Sequence, residues 1–220
     1  MAFRSRLNGI GGRMARAANS KKQTRIQREK KEAILEAALN VFSSNGFRGA
    51  TVDQIAKAAG LSKPNLLYYF SNKEAIHREL LARLLDTWLD PLRHLDAQGD
   101  PLGEINRYVT RKVEMSRDMP RESRLFANEV MQGASRIDVL MTGEMKALVD
   151  TKAAVLSGWM EAGKIARLDP YHLIFSIWAT TQHYADFEVQ VRGILGAKDD
   201  GHFEDASAFL TELYTRALSV

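Results

Sequence analysis

The chain contains no cysteine. A disulfide framework, a thiolate metal site and a cysteine nucleophile are therefore excluded. Proline is scarce, five in 220 residues, which argues against a linker-dominated chain. No apolar run approaches the roughly 18 residues that a membrane helix needs. The N-terminal residues lack the apolar core of a secretory signal. A reducing cytoplasm is the location these absences lead us to expect. Acid is also scarce, but at one end only. The first 31 residues hold ten Lys or Arg against the single acid Glu29. The net +4 of the whole chain leaves −5 for the other 189 residues. A basic end on an acidic body is the charge pattern of a segment that meets a polyanion.

What is present is helical periodicity. Residues 1–25, dominated by Gly, Asn, Ser and Arg, show no apolar period and read as a disordered basic tail. From Ile26 apolar residues recur every three or four positions until Asn45 and Gly46 stop the pattern. A short helix opens at Thr51 or Val52 and ends at Gly60. A third follows Ser62, with Pro64 in its first turn, where a missing N–H costs nothing. Ser71 and Glu74 have the spacing of a capping box before a long helix that Pro91 kinks or ends. Further helical segments are expected near 101–118, 121–133, 137–162, 170–192 and 203–218. No stretch alternates with period two, so the class is all-α.

Residues 51–70 form helix, glycine-containing turn, short helix, the pattern in which a second helix enters the DNA major groove. In Ala59-Gly60-Leu61-Ser62 the glycine permits the reversal and Leu61 plugs the space between the helices. Ser62 and Lys63 stand at the start of the reading helix, where free N–H groups favour a phosphate. Asn65 can read adenine and Lys63 guanine. The hydroxyls of Tyr68 and Tyr69 suit phosphate oxygens. Thr51 caps the first of these helices and can touch the backbone. Lys73, opening the next helix, can reach the same strand.

The stretch from Ala33-Ile34-Leu35 through Gly46-Phe47-Arg48-Gly49-Ala50-Thr51-Val52, Ala59-Gly60-Leu61-Ser62-Lys63-Pro64 and Tyr68-Tyr69-Phe70-Ser71-Asn72-Lys73-Glu74 resembles the DNA-binding domain of the tetracycline-repressor (TetR) family. The resemblance implies an all-helical homodimer of about nine helices on a palindromic operator. It implies a reader at 26–72 and an effector-binding and dimerisation domain at 73–220. Segments around Trp88-Leu89-Asp90-Pro91-Leu92, Ser123-Arg124-Leu125-Phe126 and 172–187 are similar to the pyrimidine-utilisation regulators of that family. That likeness implies a uracil- or thymine-responsive regulator, generally a repressor, of nucleobase or nitrogen metabolism.

A pyrimidine site wants aromatic faces and a few amides for the ring edge. Trp88 and Trp178 supply faces, and Gln182, four residues after Trp178, shares its side of the helix. Thr181 lies near that face, and Asn128 and Glu129 are weaker candidates for edge contacts. The resemblance singles out Trp88, Trp178 and Gln182 as well. His183, Tyr184 and Phe187, with Phe209, Leu210, Leu213 and Tyr214 of the last helix, form the stripe expected to meet a second subunit.

Other classes fare worse. The Gly9-Ile10-Gly11-Gly12 cluster follows no strand and opens no phosphate-binding helix. Glu74 and His77 have the spacing of a di-iron bundle, but no second pair accompanies them and His77 reads as exposed. No metal, cofactor or enzymatic activity is expected. Two alternatives stay open: a different flat heterocyclic or hydrophobic effector, and an architectural DNA-binding protein without an effector.

Overall fold

The computed structural model describes the backbone from Asn8 and the side chains from Arg25 onward. Among the described residues it is helical throughout. The elements are α1 (Asn8–Gly49), α2 (Val52–Ala58), α3 (Lys63–Tyr69), α4 (Lys73–Arg93), α5 (Pro101–Asp118), α6 (Pro120–Met131), α7 (Asp138–Leu140), a π-helical turn (Met141–Met145), α8 (Lys146–Glu161), α9 (Pro170–Asp186), α10 (Glu188–Leu195) and α11 (Gly201–Leu218). One compact unit ends at Ile76 and a second begins at His77. No helix among the described residues is long and apolar enough to cross a membrane.

In the first unit, α1 packs on α2 and α2 on α3, and Ile34, Ala38 and Phe42 of α1, Ile55 and Ala56 of α2 and Leu66 of α3 are buried. Its backbone is helical from Asn8, so the order expected from Ile26 reaches back into the basic segment. The Ala, Arg, Lys and Gln residues between 13 and 28 are good helix formers and permit this continuation. Residues 1–7 of that tail lie outside the described residues. Gly46, at φ +65°, interrupts the helical dihedrals where the Asn-Gly pair predicts a stop. Gly60, at φ +64°, lets the Leu61 N–H bond back to the Ala56 carbonyl at 2.9 Å and closes α2.

Caps hold the short helices in register. Thr51 and Gln54 form a reciprocal capping box on α2. The Ser62 hydroxyl accepts from the Asn65 N–H at the start of α3. At α4 the cap is Asn72, whose side-chain oxygen accepts from the Ala75 N–H at 2.8 Å, in place of the expected Ser71. Asn and Ser serve this position about equally well, so the shift by one residue carries little cost.

The second unit is built around α5, which packs on α6, α9 and α11. Ile105, Tyr108, Val109 and Val113 of α5 join Leu156 and Trp159 of α8, Leu173, Ile174 and Ile177 of α9, and Leu210, Tyr214 and Leu218 of α11 in one core. A smaller cluster joins Leu84 and Trp88 of α4 to Met115 of α5, with Phe126 of α6 against it. The segment expected as one helix over 137–162 is divided by the π-helical turn, and that over 170–192 breaks at Phe187. Pro91 lies inside α4, which continues to Arg93. His77, expected to be exposed, is buried. Its Nδ1 lies 4.0 Å from a carboxylate oxygen of buried Glu129, so its ring belongs to the interior of the second unit.

Lys73 shows how the first unit closes. Its ammonium donates to the carbonyls of Phe47 (2.8 Å) and Ala50 (2.9 Å) and lies over the Phe47 ring. This side chain, expected to reach DNA, instead satisfies the loop between α1 and α2. Lys73→Met should cost roughly 1–3 kcal/mol of stability by leaving two carbonyls without their charged donor. Urea denaturation followed by hydrogen exchange of amides in residues 30–70 measures the loss. An unchanged midpoint would show that water serves those carbonyls equally well.

Candidate functional site

Two sites follow from this framework, one on each unit. On the first, α3 presents its outer side without obstruction. Tyr68 is 73% exposed, and Asn65 and Lys63 are exposed. Tyr69 is half-buried and sets its ring edge-on to Tyr68, with centroids 5.2 Å apart. Leu66 alone of this helix is buried, which pins α3 to the core and leaves the rest facing out. Lys63 pairs with Asp53 of α2 at 2.8 Å. Both partners are exposed, so the pair is weak and a phosphate can replace the carboxylate at little cost. Thr51 and Ser62 are engaged in their caps. Of the DNA-contacting candidates, only Lys73 is turned away into its own fold.

On the second unit, Leu85, Trp88 and Leu89 of α4, Lys112 of α5, Phe126 of α6, Met145 of the π-helical turn and Trp178 and Gln182 of α9 enclose a cavity of about 30 Å³. Trp88, Trp178 and Gln182, separated by up to 94 positions in the chain, thus meet around one space. Their hydrogen bonding differs. The Trp178 N–H donates to the Tyr108 hydroxyl at 2.6 Å, which fixes the indole plane as a wall. Burial pushes the Tyr108 phenol upward in pKa, so it stays neutral. The Trp88 N–H is buried with no acceptor. Phe126 meets Trp88 edge-on at 5.8 Å.

Three expected contacts fall elsewhere. Thr181 is fully buried, and its hydroxyl donates to the Ile177 carbonyl of its own helix at 2.7 Å. Glu129 accepts from the Arg136 backbone N–H (3.1 Å) and guanidinium (2.8 Å), which closes the loop after α6. Asn128 is half-buried and does not line the cavity.

The residue that periodicity passes over is Lys112. It lies four positions after Tyr108 and four before Ser116, on the buried face of α5. That placement is the signal: a lysine at an inward position of an otherwise apolar or hydrogen-bonded stripe. Its ammonium sits 4.7 Å from the centre of the Trp88 ring. Burial lowers its pKa from 10.5 to about 8. A second, open groove of about 500 Å³ shares Met145 and Trp178 with the cavity and is lined further by Met141, Val149, Tyr171 and Phe175.

The stripe expected to meet a second subunit divides in two. Phe187 and Phe209 are more than half exposed, and Leu213 and His183 are exposed. Leu210 and Tyr214 are buried in their own core, and Tyr184 packs against it. The His183 ring stacks on Phe187 at 5.0 Å. Among the described residues no group of three or more His, Asp or Glu is arranged to hold a metal ion.

Residues 34–80 match the family of bacterial regulatory proteins called tetR, and residues 81–220 match the family described as YcdC-like protein, C-terminal region. The HTH-type transcriptional regulator RutR of Escherichia coli strain K12 is 50% identical over 176 residues, 80% of this chain and 83% of that one. A TetR-like transcriptional regulator from Rhodococcus sp. RHA1 superposes with a TM-score of 0.63 at 20% identity, over 85% of this chain and 94% of that one. AibR, solved in complex with isovaleryl coenzyme A and operator DNA, gives 0.61 at 18% identity, over 84% and 97%. The last two show a shared fold.

The buried ammonium has a measurable consequence. Between pH 8 and 10.5 the folded chain holds Lys112 with fewer protons than the unfolded chain does. Stability therefore rises with pH across that window, and the cost of the charge is fully present below it. Lys112→Met should stabilise the protein at pH 7 by on the order of 1–2 kcal/mol, the desolvation cost less the lost cation–π attraction. The gain should shrink towards pH 10.5. Thermal melts of both proteins at pH 7 and above pH 10 provide the check. Equal melting points at pH 7 would mean that the Trp88 ring and penetrating water already offset the burial.

Proposed function

Because the chain belongs to the TetR family of bacterial transcriptional regulators, which bind DNA through a helix-turn-helix, we propose that it is a repressor released from a palindromic operator by a pyrimidine base. The observation that carries the effector half is the convergence of Trp88, Trp178 and Gln182 on one cavity. Two indoles and Phe126 offer faces to a flat ring. The Gln182 amide, which makes no hydrogen bond among the described residues, can both donate and accept at the ring edge. The likeness of these segments to pyrimidine-utilisation regulators supports uracil or thymine. The groove beside the cavity favours a second reading, a larger apolar effector seated along Met141, Val149 and Phe175.

Ligand acts here through α4, which runs unbroken from Lys73 to Arg93 and contributes Leu85, Trp88 and Leu89 to the cavity. A tenfold loss of operator affinity needs about 1.4 kcal/mol of coupling. The chain works as a homodimer, since a palindrome needs two readers. The exposed Phe187, Phe209 and Leu213 supply the apolar surface.

Calorimetric titration with uracil, thymine, a purine and a medium-chain acyl thioester separates the two effector readings. Saturable pyrimidine binding at one site per chain is expected. Binding of the thioester alone would transfer the site to the groove. Gln182→Leu should abolish release from operator DNA while leaving operator affinity intact; an unaltered response would remove Gln182 from the site. On the DNA side, Tyr69→Ala should weaken all sequences alike, whereas Asn65→Ala should cost about 1–3 kcal/mol at one base position in each half-site. Gel-shift titrations against single-position operator variants, with two chains bound per operator, provide the reading. A uniform loss for Asn65→Ala would reassign it to phosphate contact.

A further inference from the structure

Lys112 is the only charged residue among those lining the cavity. It is 4% exposed. The side chains around it are Trp88 of α4, Phe126 of α6, and Trp178 and Gln182 of α9, and none of these is an acid. No carboxylate among the described residues pairs with its ammonium, and no carbonyl accepts from it. Its one polar contact is the face of Trp88. A buried cation is ordinarily paired, because the bare charge is costly. The Trp88 N–H, on the same cavity, is likewise buried without an acceptor. Two groups that can only donate therefore border one small space, and neither has an acceptor among the described residues, although the Gln182 carbonyl lines the same cavity.

We infer that Lys112 is a specificity-determining residue of this site: its ammonium takes an exocyclic oxygen of the effector, so the site selects flat heterocycles bearing a ring carbonyl and rejects those bearing an amino group there. The inference rests on the effector reading of the same cavity. An ammonium and an indole N–H can satisfy a carbonyl, but an exocyclic amine turned towards them sets donor against donor. A site built on such hydrogen bonds discriminates far more strongly than one built on shape alone. Uracil and cytosine differ at ring position 4, a carbonyl in the first and an amine in the second, and at the neighbouring ring nitrogen, which carries a hydrogen in uracil and is bare in cytosine. Gln182 cannot make the distinction, since its amide can turn to serve either.

Calorimetry of the full chain with uracil and cytosine at pH 7 tests this, for the unaltered protein and for Lys112→Met. The unaltered protein should prefer uracil by more than tenfold. Lys112→Met should lose more than tenfold in uracil affinity and bring the two bases close together, while melting no lower than the unaltered protein and keeping its affinity for operator DNA. Equal affinity of the unaltered protein for the two bases overturns the inference whatever the variant does. Unchanged uracil binding by Lys112→Met overturns it as well and leaves the pyrimidine reading standing. Failure of the unaltered protein to bind either base overturns both together.

Discussion

The second unit depends on the packing of α5. This helix meets α6, α9 and α11, and its buried side is both greasy and hydrogen-bonded. Asn106 donates to Thr215 of α11 at 2.8 Å. Tyr108 receives the Trp178 N–H of α9, and Ser116 donates to the Thr181 carbonyl of α9 at 2.9 Å. These polar ties occur at successive levels of one helix. Apolar burial supplies the driving force, but it tolerates sliding; directional bonds at several heights do not. Trp178 is thereby fixed in orientation before any ligand arrives. A wall that is already ordered costs less entropy when something binds against it.

The same helix explains why Lys112 is tolerated. Its neighbours along the stripe are satisfied within the protein, so the charge is an isolated exception in a well-packed unit. It costs stability in the folded state and contributes nothing evident to packing. Features that lower stability at a cavity are the ones binding can redeem, because a ligand that accepts from the ammonium recovers part of the cost. Glu129 differs from Lys112 in this respect: it is equally buried but already held by Arg136.

Much of this was legible from local chemistry. Thr51, Gly60 and Ser62 each act within a few residues of themselves, so a cap or a turn read from sequence meets its partner in the structure. Trp178 and Gln182 could be placed on one side by helical spacing alone. The reverse holds for side chains whose partners are distant. Lys73 reads as a surface cation until the Phe47 and Ala50 carbonyls, more than 20 residues earlier, are seen to hold it. His77 reads as exposed until Glu129 of another helix is brought against it. Thr181 shares the approximate face of Trp178, but the hydroxyl of a buried threonine finds its own helix carbonyl first. The π-helical turn carries no proline and a single glycine, Gly143, which a continuous helix can tolerate, so the break at Met141–Met145 has only a weak signature in the sequence.

The size of the cavity constrains how an effector could act. Its volume of about 30 Å³ matches the room of one water molecule. An apolar cavity of roughly 150 Å³ is needed to take even benzene. A pyrimidine between Trp88 and Trp178 must therefore displace part of the wall. Tyr108 restrains Trp178, and Met145 is the last residue of the π-helical turn. Of the remaining wall, which also includes Lys112, Phe126 and Gln182, α4 contributes the largest share, the Leu85, Trp88 and Leu89 side chains of one stripe. On the proposed reading, displacing that stripe displaces α4, the helix that begins at Lys73. A ligand that fitted without rearrangement would bind both conformations equally and shift nothing. On the proposed reading, the tightness of the cavity is thus what converts binding into release. Reciprocity then requires operator DNA to weaken the pyrimidine by the same factor by which the pyrimidine weakens the operator.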